Sequence, residues 1–387
     1  MVEALLLIGV AVAAFVGYNI GGATTGPAFG PAVGAGVLSK AGAAALMSVF
    51  FFVGAGTLGQ RVVTTLGDDL VSGANVFTLE TSIVVLFFIG GALFVGNFAG
   101  VPASTSMTAV GAIAGLGLAT NTLSWAEMGE IAVWWLVAPI IGFWVSGVVG
   151  RYFYATIDEW VAIDSSEGAL FEFDRSGVLP RPVPGPNTTR RELGGGFVVI
   201  AIGCLMAFAS GTSNIANAIA PLVGAGVEIT PMILLGSAAV AVGAFTIARR
   251  TLDTLGNDIT DLPLTAAIVV AVVSSGIVIS LSAVGIPASF VIIATMSIVG
   301  LGWGRATRTV TVRQGISGTK QPNVSVGALT ADEMPAIGEG GAEDVPSATN
   351  LFNPSTSARV VLMQNVVPIL STVGALVAFT ALFSFVW

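Results

Sequence analysis

Eight stretches of this chain are long and apolar enough to cross a lipid bilayer, and nothing else in the sequence limits the fold so strongly. They lie near residues 2–20, 41–58, 80–97, 131–150, 194–210, 231–248, 264–284 and 358–386. About 20 consecutive apolar residues span the hydrocarbon core as a helix. Shorter apolar segments fall between them at 23–38, 103–120, 214–228 and 288–303. Only 9% of the 387 residues are charged and 54% are hydrophobic, too little charge to cover a water-soluble globule. The expected fold is an all-α polytopic membrane protein, multi-pass in the cell membrane. The first stretch has no basic region ahead of it and runs directly into further spans, so it is expected to be a retained helix.

The same composition excludes much chemistry. The chain has no histidine, and its one cysteine, Cys204, lies inside an apolar run, so no imidazole chemistry and no intrachain disulfide is expected. No nucleophile–base pair, metal cluster or nucleotide loop is visible, and the chain is not expected to be an enzyme or to carry a cofactor. The fragments "GAGTLG" and "GLGWG" read as glycines at helix-packing spacing without βαβ context. A net charge of −8 gives no reason to expect nucleic acid as a partner. Lysine occurs only at Lys40 and Lys320, and the loops around Asp158–Asp174 and Asp332–Asp344 are acidic. That balance resembles proteins of salt-loving archaea, although an ordinary solvated loop accounts for it equally well.

Three short stretches recur in order. "GYNIGGATTGPAFG" at Gly17 is echoed by "GTSNIANAIAPLVG" at Gly211, "TTLGDDL" at Thr64 by "DTLGNDI" at Asp253, and "GVPAS" at Gly100 by "GIPAS" at Gly285. The offsets are 194, 189 and 185 residues, a register that points to internal duplication. The expected organisation is a transmembrane repeat over 1–151, a cytoplasmic linker over 152–193, and a second repeat over 194–387 with a polar cytoplasmic loop at 304–357. Basic residues concentrate in the linker, at Arg249 and Arg250, and in that loop, which places them in the cytoplasm. The corresponding first-half loop, "TNTLSWAEMG", is short and has no basic residue. Equivalent loops on opposite faces imply inverted repeats, with five crossings per half if 23–38 and 214–228 enter the membrane without traversing it. Arg61 falls on the wrong side in this scheme. Inverted repeats with broken or re-entrant helices are the architecture of secondary transporters, with the site near the midplane at the repeat interface.

The interrupted segments suggest what such a site holds. A break at Pro102 followed by a new helix would place free N–H groups and the positive helix end inside the protein, where they favour an anion. Ser104, Thr105 and Ser106 add hydroxyl donors suited to a tetrahedral oxyanion. Taken alone, these hydroxyls read as a helix cap before they read as a site; the matching break before Ser289 reverses that order. The other paired motif adds Asn19, Asn214, Asn217 and the hydroxyls of Thr24, Thr25, Thr212 and Ser213. At a helix break these oxygens are suitable Na⁺ ligands, and the amide NH₂ groups can donate to an anion. The acids Asp68, Asp69, Asp253, Asp258 and Asp261 read as caps or turns before they read as a coupling site. Trp134, Trp135 and Trp144 read as interface belt or packing.

"FASGTSNIANAIAPLVGAG" resembles the second signature of the PiT family of inorganic phosphate transporters, roughly "FxHGANDVANAIGPL". "GVPASTSM" followed by "GAIAGLGLA" is similar to that family's "GLPVSTTH" and "GAIIGxGLA", and "TLGNDITDLPLTAA" to the segment after the second signature. The likeness covers most of the membrane part. It implies a permease working by alternating access, mostly coupled to Na⁺ or H⁺, with some relatives carrying sulfate. By position, Ser104, Thr105 and Ser106 match the family's anion-binding "STT", Asn19 and Asn217 match family asparagines, and Ser289 is the hydroxyl left of the second "STT". Departures are Ile20 and Asn214 for two aspartates, Ser213 and Ala23 for asparagines, and Met107 and Ile292 for histidines. Cation coupling, if present, is then expected from Asn19, Ser213, Asn214 and Asn217, without a carboxylate. The expected partners are inorganic phosphate or a similar oxyanion and the bilayer, with a homodimer left open. A sulfate permease, and a sensor or assembly protein that has lost transport, are the alternatives.

Overall fold

Two long helices, one opening each half, run through the centre of the molecule. The computed structural model describes residues 2–34, 36–73, 76–98, 104–161, 171–174, 181–184, 190–248, 264–306 and 354–386. Pro102 and the break around it, Arg249 and Arg250, the stretch holding Asp253, Asp258 and Asp261, and most of the loop 304–357 lie outside them. The first half contains α1 (Val2–Gly34), α2 (Lys40–Gly56), α3 (Gly59–Thr64, prolonged by a π-turn over Thr65–Asp69), α4 (Leu79–Phe98), α5 (Thr105–Ala119) and α6 (Trp125–Val148). A second π-turn, Val149–Phe153, carries α6 into α7 (Tyr154–Val161). The second half contains α8 (Arg190–Gly224), α9 (Ile229–Thr246), α10 (Leu264–Ala283), α11 (Phe290–Ala306) and α12 (Pro354–Val386). One departure from an all-α chain lies between the halves, where β1 (Phe171–Asp174) pairs antiparallel with β2 (Arg181–Pro184).

Seven of the described helices are long and apolar enough to cross a membrane. The pair α2–α3, bent by 64° at Thr57–Leu58, makes an eighth if counted as one span, and α5 and α11 are shorter apolar helices. Large apolar side chains such as Leu136, Phe87 and Val377 are exposed, as lipid contact permits and water would not. All eight expected spans fall on helices.

The expected separate segments 23–38 and 214–228 do not exist as such. They continue α1 and α8 without a break. Pro27 and Pro31 sit inside α1 and Pro221 inside α8. Transmembrane helices tolerate such prolines because side chains and neighbouring helices satisfy the freed carbonyls. The carbonyls these prolines free are those of Ala23, Pro27 and Asn217. Close by, Thr24 and Thr25 donate back to the carbonyls of Ile20 and Gly21, and Ser82 of α4 ties on to the Pro221 carbonyl at 2.6 Å.

The packing partners exchange between halves. α1 packs on α9 as α8 packs on α2, α6 on α11 as α12 on α5, and α1 on α4 as α8 on α10. Glycines set the register. A Cβ at Gly21 would strike the Val240 carbonyl, and one at Gly211 the Phe51 carbonyl. Likewise Gly243 abuts the Tyr18 carbonyl and Gly54 the Phe208 carbonyl. Gly21 and Gly211 are 190 residues apart, and Gly54 and Gly243 are 189 apart. The expected offset of 194 at the first motif is therefore corrected to 190. That register also aligns "PAVGAGV" at Pro31 with "PLVGAGV" at Pro221. The residue opposite Asn214 is then Thr24, and Asn19 stands opposite Ala209.

Candidate functional site

The shorter helices α5 and α11 begin inside the protein, and each start is built by the same local chemistry. Ser104 caps α5: its hydroxyl oxygen accepts from the Met107 amide at 3.3 Å and its carbonyl from the Thr108 amide and hydroxyl. α5 thus starts at Thr105, three residues after the expected break at Pro102. In the second half, α10 ends at Ala283 and the chain unwinds over Val284–Ser289 before α11. Gly285 takes φ +84°, a conformation that glycine adopts without penalty. A Cβ there would also press on the Thr65 hydroxyl of α3. The Ser289 carbonyl then accepts from the Ile293 amide, opening α11.

These two helix starts face one small, partly open cavity. Ser104 and Thr105 line it from α5, Ser289, Phe290 and Val291 from the α11 start, Thr24 and Pro27 from α1, and Ser210 and Asn214 from α8. Among the described residues no charged one lines it. Two helix ends carrying partial positive charge therefore point at a small space with no counter-charge among the described residues that line it, the electrostatic condition for an anion.

The hydroxyl hydrogens divide into those engaged and those free. Thr105 donates to Asn214 Oδ1 at 2.5 Å and Thr24 to the Ile20 carbonyl, so neither hydrogen is free for a ligand. Ser210 accepts from Asn214 Nδ2 at 3.0 Å and Ser104 from an amide, which leaves both hydroxyl hydrogens available. Ser289 Oγ is 94% buried by residue exposure (6% exposed) and has no hydrogen-bond partner. A buried hydroxyl without a partner is costly, and here it opens on the cavity.

The other expected site residues lie behind this surface. Ser106 Oγ and Ser213 Oγ sit 3.4 Å apart and each donates to the Ala288 carbonyl at 3.0 Å, while the Ala288 amide donates to Ser213 Oγ at 3.3 Å. They tie α5 and α8 to the unwound segment. Asn217 donates to Asn214 Oδ1 at 3.2 Å, and its own Oδ1 is buried without a partner. Asn19 is not brought to the cavity. It donates to the Phe15 carbonyl, and Asn97 of α4 donates to its Oδ1 and carbonyl oxygen, both at 3.0 Å. Asp68 and Asp69 end the π-turn of α3 on the exposed surface, away from the cavity lining. Sequence reasoning missed Ser210, and Thr24 as the counterpart of Asn214; the signal was the "PAVGAGV"–"PLVGAGV" pair, which gives the 190-residue register.

The profile of the phosphate transporter family matches residues 20–173 and 180–321. The chain belongs to this family. Among its relatives is a sulfate permease, CysP, of Bacillus subtilis, 29% identical and covering 75% of each chain. The chloroplastic inorganic phosphate transporter 2-1 of Arabidopsis thaliana is 25% identical over 82% of this chain and 69% of its own. The solved structure of a sodium-dependent phosphate transporter superposes with a TM-score of 0.68 at 18% identity, covering 99% of this chain and 100% of the other. The fold is thus shared with that structure along nearly the whole length. The family consists of transporters, and this member is a multi-pass membrane protein.

Proposed function

We propose that this phosphate permease carries inorganic phosphate through the cavity between α5 and α11 by alternating access of two oppositely oriented halves. The observation that carries the reading is that Ser104 and Ser289, 185 residues apart and each at a helix start, line one cavity. The exchange of packing partners between halves is the arrangement expected of a two-fold related pair. In this reading Ser104, Ser210 and Ser289 donate to the oxyanion, joined by first-turn amides of α5 and α11. Thr105 and Asn214 hold each other in place beside it, and Ser106, Ser213 and Asn217 position that layer from behind.

For a coupling ion the reading favours Na⁺ held by neutral oxygens. Among the described residues no group of three or more acidic, cysteine or histidine side chains could hold a metal. Asn217 Oδ1 is the buried acceptor available to a cation. A neutral site costs less to desolvate when empty and holds Na⁺ less tightly than a carboxylate would.

A second reading, sulfate, is favoured by one feature: among the described residues no carboxylate lines the cavity to accept the proton of hydrogen phosphate. Uptake of radiolabelled phosphate into vesicles, wild type against the Ser104→Ala/Thr105→Ala double variant, tests the assignment. Losing the charge-assisted Ser104 donor, worth ~1.5–3 kcal/mol, together with the Thr105 bond that holds Asn214 in place, should cut apparent affinity at least tenfold. Equal uptake by the two proteins removes these residues from the site. Unlabelled sulfate competing better than unlabelled phosphate moves the substrate to the second reading.

A further inference from the structure

The unwound segment before α11 is held by side chains from three different helices. Ser106 of α5 and Ser213 of α8 hold both polar groups of Ala288. The residue before it, Pro287, has no N–H, and its carbonyl accepts from Trp135 Nε1 of α6 at 2.9 Å. The indole is half-buried, and it borders a smaller, mostly apolar cavity with Met107, Trp134, Ile292 and Ile293. Ser289 lines this cavity and the larger one. Ser289 therefore stands on the wall between the two, and its buried hydroxyl has no partner of its own to fix it. What decides which side it serves is the peptide just before it.

Irregular backbone at membrane depth keeps its shape only while its carbonyls are satisfied by protein or water. Removing the indole N–H would leave the Pro287 carbonyl unsatisfied next to an open space, and the segment would rotate toward whatever could satisfy it. We propose that Trp135 is a positioning residue: by holding Pro287 it aims Ser289 and the start of α11 at the substrate cavity. Because Trp135 belongs to the first half and Pro287 to the second, this bond joins the halves at the site. The proposal rests on the larger cavity being the transport site.

The test uses the full-length protein with Cys204→Ala and Ser289→Cys, so that a thiol reports the position directly, without substrate. N-ethylmaleimide labelling is compared with Trp135 intact, with Trp135→Phe, which keeps a ring and loses the donor, and with Trp135→His, whose Nε2–H reaches a similar distance. We expect the labelling rate to change at least threefold in Trp135→Phe and to return toward the parent in Trp135→His. In the Ser289 background, Trp135→Phe should raise the KM for phosphate roughly three- to tenfold, the worth of one neutral hydrogen bond, with maximal rate retained. Labelling rates within twofold of the parent for both variants, or a lowered melting temperature with unchanged labelling and KM, would overturn the proposal and leave Trp135 as packing. If the parent takes up no phosphate but the labelling rates differ, the transport reading falls and the positioning role of Trp135 stands.

Discussion

At the scale of single residues, the two helix starts are unequal. Thr105 and Ser106 stand in the first half where Phe290 and Val291 stand in the second, so Ser289 alone carries the second half's hydroxyl. Ser104 and Ser289 were legible because short "PAS" motifs repeat around them. Ser210 was not, because its role depends on an Asn214 bond that only the helical register reveals. Asn19 is the converse: an asparagine beside glycines reads as a ligand, yet in this structure its Oδ1 is bound by Asn97 of the neighbouring α4. Asn214 is the most informative position to change. Its Oδ1 accepts from Thr105 and Asn217 at the cavity edge, so Asn214→Asp keeps the shape and adds a charge. A carboxylate some 4 Å from an oxyanion opposes it by ~4 kcal/mol at an effective dielectric constant near 20. Phosphate affinity without Na⁺ should fall at least tenfold, and uptake should become steeply Na⁺-dependent. Uptake at several Na⁺ concentrations checks this; an unchanged Na⁺ profile removes Asn214 from the site.

At the scale of elements, glycine positions decide how helices meet. The lengths of the spans were readable from hydropathy, because lipid imposes a minimum apolar run. The continuity of α1 and α8 was not, because prolines and hydroxyls that break a helix in water are compensated by neighbours in a membrane. Gly243 shows the compensation at its tightest, with the Tyr18 carbonyl of α1 where a Cβ would go. Gly243→Ala must push α9 from α1 and should destabilise the protein by ~1–3 kcal/mol, as overpacking does. Gly91→Ala is the control. Nothing lies within 4 Å of a Cβ there, and alanine favours the helix by up to ~1 kcal/mol. Thermal melting in detergent should separate the two variants clearly, and equal melting temperatures would contradict the glycine register.

At the scale of the whole molecule, two halves contribute one helix start each to a shared cavity, and transport would follow from their relative motion. The repeated motifs pointed to a duplication, whereas the exchange of packing partners required coordinates. Arg61, misplaced by the charge rule, has a local role: its guanidinium donates to the carbonyl of Ala283, the last residue of α10, where a cation offsets the negative helix end. It steadies the segment leading to Ser289 from the first half, as Trp135 does from another direction. The central claim, one oxyanion held by both halves, is tested most directly by equilibrium phosphate binding to Ser104→Ala and Ser289→Ala, each alone. Both variants should bind at least tenfold more weakly than the parent, whereas a single affected variant, with the other at parental affinity, would contradict a shared site.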